Sequence, residues 1–186
     1  MALEIQRRRF TAEEFHRMGE AGIFQEGDRV ELIDGDVVMM SAIGPRHVYY
    51  VNRLNQVLVR AVGELGLISP QNPVGVERRS EPQPDVVVLR ARGREYLAAL
   101  PAKDDALLVV EVSDSSLEYD RTVKMPLYAA AGIPESWLLD VEAGVIERHT
   151  GPGPRGYRTI EKCTAADRIT LVALPSVTVD LATILG

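Results

Sequence analysis

Short runs of apolar, mostly β-branched residues alternate with polar turns along much of the chain, and this pattern predicts a sheet of buried strands. Residues 107–110 and 86–89 are unbroken apolar runs, as is typical of strands covered on both faces. Each run carries a carboxylate at one end, since Glu111 follows the first run and Asp85 precedes the second. Residues 137–139 predict a further buried strand. The two acids are therefore expected side by side on one sheet.

The longest helical pattern follows the Gly44-Pro45 turn. Its apolar residues recur at three- and four-residue steps: Val48, Val51, Leu54, Leu58, Ala61, Val62 and Leu65. His47 stands in the first turn of this helix, where its ring could bond to a phosphate or to a backbone carbonyl, and the carbonyl is favoured. A shorter helix is expected to begin at the capping box formed by Thr11 and Glu14.

A third helix is expected over residues 120–131. Three of its apolar residues are predicted to pack inward: Val123, Leu127 and Ala131. Lys124 and Tyr128 lie one turn apart on a neighbouring stripe of the same helix. Pro126 predicts either a kink or a later helix start, because proline lacks the amide that a helix interior needs.

Turn residues predict two hairpins. Residues 30–33 and 36–40 flank Asp34-Gly35, a dipeptide typical of the type I′ turn, and so predict an N-terminal hairpin. Glu31 lies in its first strand, where an alternating pattern places its side chain outward. Residues 145–150 and 157–162 predict the second hairpin, and the tail is expected to add one or two short strands.

Length and composition are those of one soluble domain spanning residues 1–186. The chain has 46% hydrophobic and 26% charged residues, and its apolar runs are far shorter than the roughly 20 residues of a membrane span. An acid and three arginines stand where a signal peptide would have its apolar region, so a cytoplasmic location is expected. One cysteine and three scattered histidines exclude an internal disulfide and a Cys/His zinc site. Any metal should therefore be one that prefers oxygen ligands, such as Mg²⁺ or Mn²⁺.

The formal net charge of −6 argues against a surface that binds nucleic acid everywhere. Positive charge is nevertheless clustered, at Arg7-Arg8-Arg9, at Arg78-Arg79 and between Arg90 and Arg94. The interpretation favoured from charge alone is a solvated rim at the ends of strands.

Two carboxylates at strand ends with a lysine nearby have two interpretations. Asp85 and Glu111 could hold a divalent cation while Lys124 orients water or stabilises the charge of a transition state. In the structural interpretation, Asp120 and Lys124 form an exposed i,i+4 pair, and Glu111 caps a turn. Spacing alone does not decide between them.

Several segments together resemble the Uma2 family, a bacterial group of endonuclease-like proteins in the PD-(D/E)XK superfamily. The segments that carry the resemblance follow in order from Thr11 to Leu181: Glu31-Leu32-Ile33-Asp34-Gly35, His47 after Gly-Pro, Pro84-Asp85-Val86-Val87-Val88, Val109-Val110-Glu111-Val112-Ser113, Asp120 with Lys124, and Gly132-Ile133-Pro134-Glu135 before Trp137. Ser136 departs from the pattern, since the family usually has an aromatic residue there.

The resemblance implies an α/β (α+β), restriction-endonuclease-like fold, with a mixed central β-sheet flanked by helices and an extra N-terminal hairpin. It also implies that Asp85 and Glu111 hold Mg²⁺ or Mn²⁺. The superfamily's usual lysine position is occupied by Ser113, so the resemblance moves that role to Lys124 on the next helix. Glu31 is implied as a supporting acid.

The expected function is a metal-dependent DNA endonuclease with Asp85, Glu111, Lys124 and Glu31 as catalytic residues. One alternative is a catalytically inactive nucleic-acid-binding or assembly module, favoured by the acidic net charge. The third hypothesis is a hydrolase of a small phosphorylated ligand. Apolar residues beyond those one core face needs, Met125, Leu127 and residues 129–131, predict a homodimer.

Overall fold

A six-stranded mixed sheet lies at the centre of the computed structural model, which describes residues 7–186. The strands are β1 (Val30–Ile33), β2 (Asp36–Met39), β3 (Gly66–Pro70), β4 (Val86–Arg90), β5 (Ala106–Ser113), β6 (Glu135–Asp140), β7 (Val145–Thr150), β8 (Thr159–Cys163), β9 (Arg168–Thr170) and β10 (Thr178–Asp180). The helices are α1 (Ala12–Glu20), α2 (Pro45–Val62), α3 (Leu117–Tyr119), α4 (Met125–Ala131) and α5 (Ala182–Leu185). Short 3₁₀ turns cover Gly63–Leu65, Gly93–Leu97 and Lys103–Asp105, and a π-helical turn covers Asp120–Lys124.

The central sheet has the order β3-β4-β5-β6-β7-β8. Only β5 and β6 run parallel, and the other neighbours are antiparallel. The mixed sheet was predicted from the sequence, as was the pairing of the two acid-bearing strands β4 and β5. The hairpins β1–β2 and β9–β10 pair separately from it.

Helices and loops cover both faces of the sheet, which explains why the central strands are apolar throughout. On β4, Val86 and Val88 join a core formed with α2 and the C-terminal tail. Val87 and Leu89 point the other way, into a core formed with α4. Side chains of a strand alternate between faces, so Glu111, one residue after Val110, belongs to the α4 side.

The N-terminal hairpin turns as its sequence predicts. Asp34 and Gly35 have φ angles of 48° and 78°, the left-handed values that a type I′ turn requires at both central residues. The outward placement of Glu31 is wrong, because its exposed fraction is only 3%. The segment around Glu81 pairs with the edge of β1 through backbone hydrogen bonds to Leu32, and Leu32 and Ile33 are buried like Glu31, so both faces of this strand are enclosed.

The helix expected over residues 120–131 is interrupted at its start. The amide of Met125 donates to the carbonyl of Asp120, five residues back, and regular α-helix begins only there. Pro126 follows directly, and its missing amide accounts for the later helix start. The wider turn changes which side chains face inward: Lys124, Met125 and Tyr128 are buried, whereas Val123 and Leu127 are only half-buried.

The first long helix is shorter than its apolar pattern predicts. It ends at Val62, where Gly63 adopts a positive φ, and its buried residues are Val51, Leu54, Leu58 and Val62. Val48 and Leu65, expected on the inner face, are about half exposed, at 45% and 53%. None of the helices within residues 7–186 is both long and apolar enough to cross a membrane. The signal-peptide argument rests partly on residues 1–6, which lie outside the described residues.

Candidate active site

The register of β4 and β5 brings the two predicted acids together. Val86 pairs with Val110 in this antiparallel ladder, so the next pair along it is Asp85 with Glu111. Directly opposed residues project on the same face with their Cβ atoms about 5 Å apart. Both carboxylates are buried, with exposed fractions of 6% and 2%, at one end of the sheet.

Two groups fix the orientation of Asp85. The amide of Val112 donates to its Oδ2 over 2.9 Å, and Nε2 of His47 lies 2.9 Å from its Oδ1. His47 comes from the first turn of α2, so the N-terminal end of this helix lies over the acids. The predicted carbonyl partner of His47 is wrong, since its ring pairs with a carboxylate. Its other nitrogen, Nδ1, is buried without a hydrogen-bond partner among the described residues.

Lys124 reaches the acids from the π-helical turn. Its Nζ lies 3.1 Å from Oε2 of Glu31 and 3.3 Å from Oε1 of Glu111, and all three side chains are at most 5% exposed. Glu31 also accepts the amide of Gln83 over 3.1 Å. The structure thus places Asp85, Glu111, Lys124 and Glu31 together, as the resemblance implied, although they come from four different segments of the chain.

The structural interpretation of Asp120 and Glu111 does not match the contacts. Asp120 accepts hydrogen bonds of 2.6 Å from the hydroxyls of Ser113 and Ser116, and it is buried rather than part of an exposed pair with Lys124. Glu111 accepts the hydroxyl of Tyr128 at the same Oε1 that faces Lys124. The serines of this turn therefore serve local bonding, as their position predicts.

Burial and charge shift the titration of these groups. Burial raises the pKa of Glu111 well above its usual range, although the positive charge of Lys124 acts to lower it. Burial alone would lower the pKa of Lys124, but the carboxylates of Glu111 and Glu31 outweigh it, so that pKa is raised and the ammonium stays charged. Burial and the neighbouring Glu111 raise the pKa of Tyr128, which keeps its hydroxyl as a donor.

A cavity of about 340 Å³ opens over this cluster. All four predicted site residues line it, together with His47, Asp120 and Tyr119. Sequence reasoning gave no role at the site to Tyr119 or to the hydroxyl of Tyr128. The one available signal for Tyr128 was its position one helical turn from Lys124, which puts both side chains on one stripe.

Family membership follows from comparison with known sequences. The family model of Uma2, described as "Putative restriction endonuclease", matches residues 12–182. The chain belongs to the Uma2 family. No curated protein matches this Uma2 chain.

A solved structure shares the fold of this Uma2 chain. It comes from Anabaena variabilis ATCC 29413 and is described as "a putative nuclease belonging to DUF820". The two chains are 10% identical, the similarity covers 95% of this chain and 97% of the other, and the TM-score is 0.71. This likeness and the mixed central sheet confirm the predicted fold class.

The donor set of the Uma2 cavity fits a small, hard cation. Within residues 7–186, no group of three or more His, Cys, Asp or Glu side chains is arranged to hold a metal by itself. Mg²⁺, however, is commonly held by one or two carboxylates, with waters and substrate phosphate completing its shell. Four buried carboxylates, those of Glu31, Asp85, Glu111 and Asp120, line the cavity beside one ammonium. A bound cation would offset that excess of negative charge and favour ionised Glu111.

Proposed function

We propose that this Uma2 protein is an endonuclease that hydrolyses phosphodiester bonds in DNA with Mg²⁺ or Mn²⁺. The observation that carries the proposal is the buried cross-strand pair of Asp85 and Glu111, with Lys124 beside it in an accessible cavity. Burying several carboxylates costs much free energy, and a fold that retains them at one point is arranged for a cation.

Asp85 and Glu111 would hold the metal. When bound, Mg²⁺ or Mn²⁺ polarises a phosphodiester and makes water a better nucleophile at neutral pH. The ammonium of Lys124 stabilises negative charge that develops on the phosphate, and it acts as a fixed charge rather than a base because it stays protonated. Glu31 holds the ammonium in place, and His47 holds the carboxylate of Asp85.

Nuclease assays test the proposal directly. Linear and circular DNA are incubated with the purified protein and Mg²⁺, Mn²⁺ or EDTA, and we expect cleavage only with the metals. Asp85→Asn and Glu111→Gln should each remove cleavage, because an amide keeps the shape of the side chain but is a weak ligand for a divalent cation.

A buried acid elsewhere supplies the control. Glu135 is fully buried and bonds to Trp137 and Arg148 in the second half of the sheet. Glu135→Gln should keep cleavage if it folds, which circular dichroism checks. Full cleavage by folded Asp85→Asn and Glu111→Gln proteins would reject these roles.

A catalytically inactive nucleic-acid-binding or assembly module is the second candidate. The raised pKa of Glu111 and the engagement of its Oε1 by Lys124 and Tyr128 favour it, because a protonated or occupied carboxyl group binds metal poorly. This alternative predicts neither metal-dependent cleavage nor a rise in melting temperature with metal. Metal-dependent cleavage, or a rise in melting temperature with metal, would exclude this alternative.

The predicted homodimer loses part of the observation on which it was based. Met125, Ala129 and Ala131 are at most 8% exposed within a single chain and belong to its core, whereas Leu127 is half-buried and Ala130 is exposed. The oligomeric state stays a prediction, and light scattering measures it.

A further inference from the structure

Part of the cavity lining is apolar and plays no role in the chemistry proposed for the acids. Four residues at the end of β2 and in the loop before α2 form it, and we call them the apolar wall: Val38, Met40, Ala42 and Ile43. This wall is continuous with the acid cluster, because Val38 pairs directly with Glu31 across the N-terminal hairpin.

The apolar wall is exposed to solvent. Ile43 has an exposed fraction of 41% and Met40 is half-buried, and within the described residues neither belongs to a core cluster. Apolar side chains that line a concave site beside a few convergent polar groups are typical of ligand-binding surfaces. A ligand that fits must therefore carry both a charged group and an apolar face.

The remaining lining includes Tyr119 in α3, which adds a hydrogen-bond donor. Burial raises the pKa of its hydroxyl to about 12, so the proton stays on the oxygen. That hydroxyl is buried without a partner among the described residues, although the residue lines the cavity. The cavity thus combines acids, the cationic side chains of Lys124 and Arg29, and an apolar surface.

One nucleotide has the chemistry that this lining requires. Its phosphate suits the ammonium of Lys124 and a carboxylate-bound metal, and its base offers a flat apolar face. Methionine makes favourable contacts with aromatic rings whatever their hydrogen-bonding groups, so Met40 would accept any base. The cavity of about 340 Å³ lies in the range of small-molecule sites.

An intact duplex cannot use the apolar wall. Its bases are held in the stack, and a base reaches a protein pocket only when it is unstacked or already single-stranded. In a duplex, Met40 and the exposed Ile43 would instead face the charged sugar-phosphate backbone, which gains nothing from apolar contact.

We propose that the cavity takes one unstacked nucleotide on the apolar wall, and that the substrate of the site is single-stranded DNA. This inference rests on the proposed nuclease function and specifies its substrate class. The base stacks on Met40 and Ile43 without hydrogen bonds that identify it, so cleavage should show little dependence on sequence.

The test compares one labelled oligonucleotide as a single strand and as a duplex, with Mn²⁺. For the wild type we expect kcat/KM to be at least about tenfold higher on the single strand. The double variant Met40→Ser/Ile43→Ser should lower kcat/KM on the single strand about tenfold and change duplex cleavage little, so the ratio collapses. A merely structural defect would lower both activities together.

Leu97→Ser is the matched control. Leu97 is 79% exposed and follows β4, at the end of that strand opposite to Asp85, so its loss should leave both activities unchanged. The inference would be overturned if the wild type cleaved the duplex as fast as the single strand or faster, or if the double variant kept the wild-type ratio of the two activities. Neither result would affect the proposed nuclease function. If neither DNA is cleaved, the nuclease function is rejected, and fluorescence anisotropy of the labelled single strand tests the pocket. Weaker binding by the double variant than by the wild type supports the pocket, and equal binding overturns it.

Discussion

At the scale of single residues, Lys124 has the largest effect on the charge of the candidate site. It is one ammonium among four buried carboxylates, and its contacts at 3.1 and 3.3 Å join Glu31 to Glu111. Because its pKa is raised, it stays a cation throughout the physiological pH range. Its removal should therefore affect both the chemistry and the stability of the protein.

Lys124→Met should lower kcat by about 10²–10³-fold, because a fixed charge at the developing transition state is lost. It should also lower the free energy of unfolding by about 3–5 kcal/mol, because Glu31 and Glu111 are left buried without a cation. Urea unfolding and single-turnover cleavage measure the two effects.

Lys103→Met is the control for this change. Lys103 pairs with Glu77 over 2.9 Å, but both side chains are more than a third exposed, so the loss should be under about 1 kcal/mol with unchanged cleavage. Equal losses of stability in the two variants would contradict the account of the buried pair.

His47→Ala should leave Asp85 with one orienting contact, the amide of Val112. Groups that orient a metal ligand typically contribute about 10–100-fold to metal affinity, so the Mn²⁺ concentration for half-maximal cleavage should rise by that factor. The matched variant His16→Ala breaks a comparable pair with Glu81 outside the cavity, and its Mn²⁺ dependence should match the wild type. A shift of the same size in His16→Ala would contradict the role of His47.

Single residues were predictable where the local pattern carries the information. Asp85 and Glu111 stand out because each directly adjoins an unbroken apolar strand, and ionised side chains are rarely buried in a sheet without a partner. The partners of His47 and the burial of Glu31 were not predictable in this way, because both depend on segments distant in sequence that only the tertiary fold brings near.

At the scale of secondary-structure elements, the N-terminal hairpin and the strand registers position the site. Alternation and Asp34-Gly35 predicted the N-terminal hairpin correctly, since a type I′ turn has a strong local signature. The π-helical turn of Asp120–Lys124 was missed, because a helical pattern assumes regular periodicity. Pro126 was the local sign of it, and the turn decides that Lys124 rather than Val123 faces the acids.

Gly35→Ala tests the hairpin as the support of Glu31. An added Cβ at this positive φ would meet Cβ of Arg9 at 2.7 Å, so we expect a loss of about 2–4 kcal/mol in unfolding free energy and weaker cleavage. Gly22→Ala is the control, since its φ is also positive but nothing lies within 4 Å of the added atom. Its loss should be about 1 kcal/mol with normal cleavage. Identical effects of the two substitutions would count against the hairpin's role.

The whole molecule is an acidic protein with a sheet covered on both faces and its acid cluster at one sheet end. Family resemblance and strand patterns predicted that architecture, because continuous apolar strands imply covered faces. Domain boundaries and assembly are set by surfaces that a sequence pattern does not mark. The apolar residues that predicted a dimer illustrate this, since the fold of one chain buries three of them.

Divalent metal should stabilise the whole protein if the cavity binds it. At a Mn²⁺ concentration 100 times the Kd, binding adds about 2.7 kcal/mol, which raises the Tm of a protein of this size by roughly 5–10 °C. Differential scanning calorimetry with MnCl₂ and with EDTA measures the shift. Asp85→Asn should abolish it, and an equal shift in that variant would place the metal elsewhere.

The most direct measurement is an anomalous difference map from crystals soaked in Mn²⁺. The account predicts a Mn²⁺ peak between the carboxylates of Asp85 and Glu111, within about 2.0–2.4 Å of an oxygen of each. A saturating soak that leaves this position empty while the same protein cleaves DNA with Mn²⁺, or a peak bound only to other residues, would contradict it.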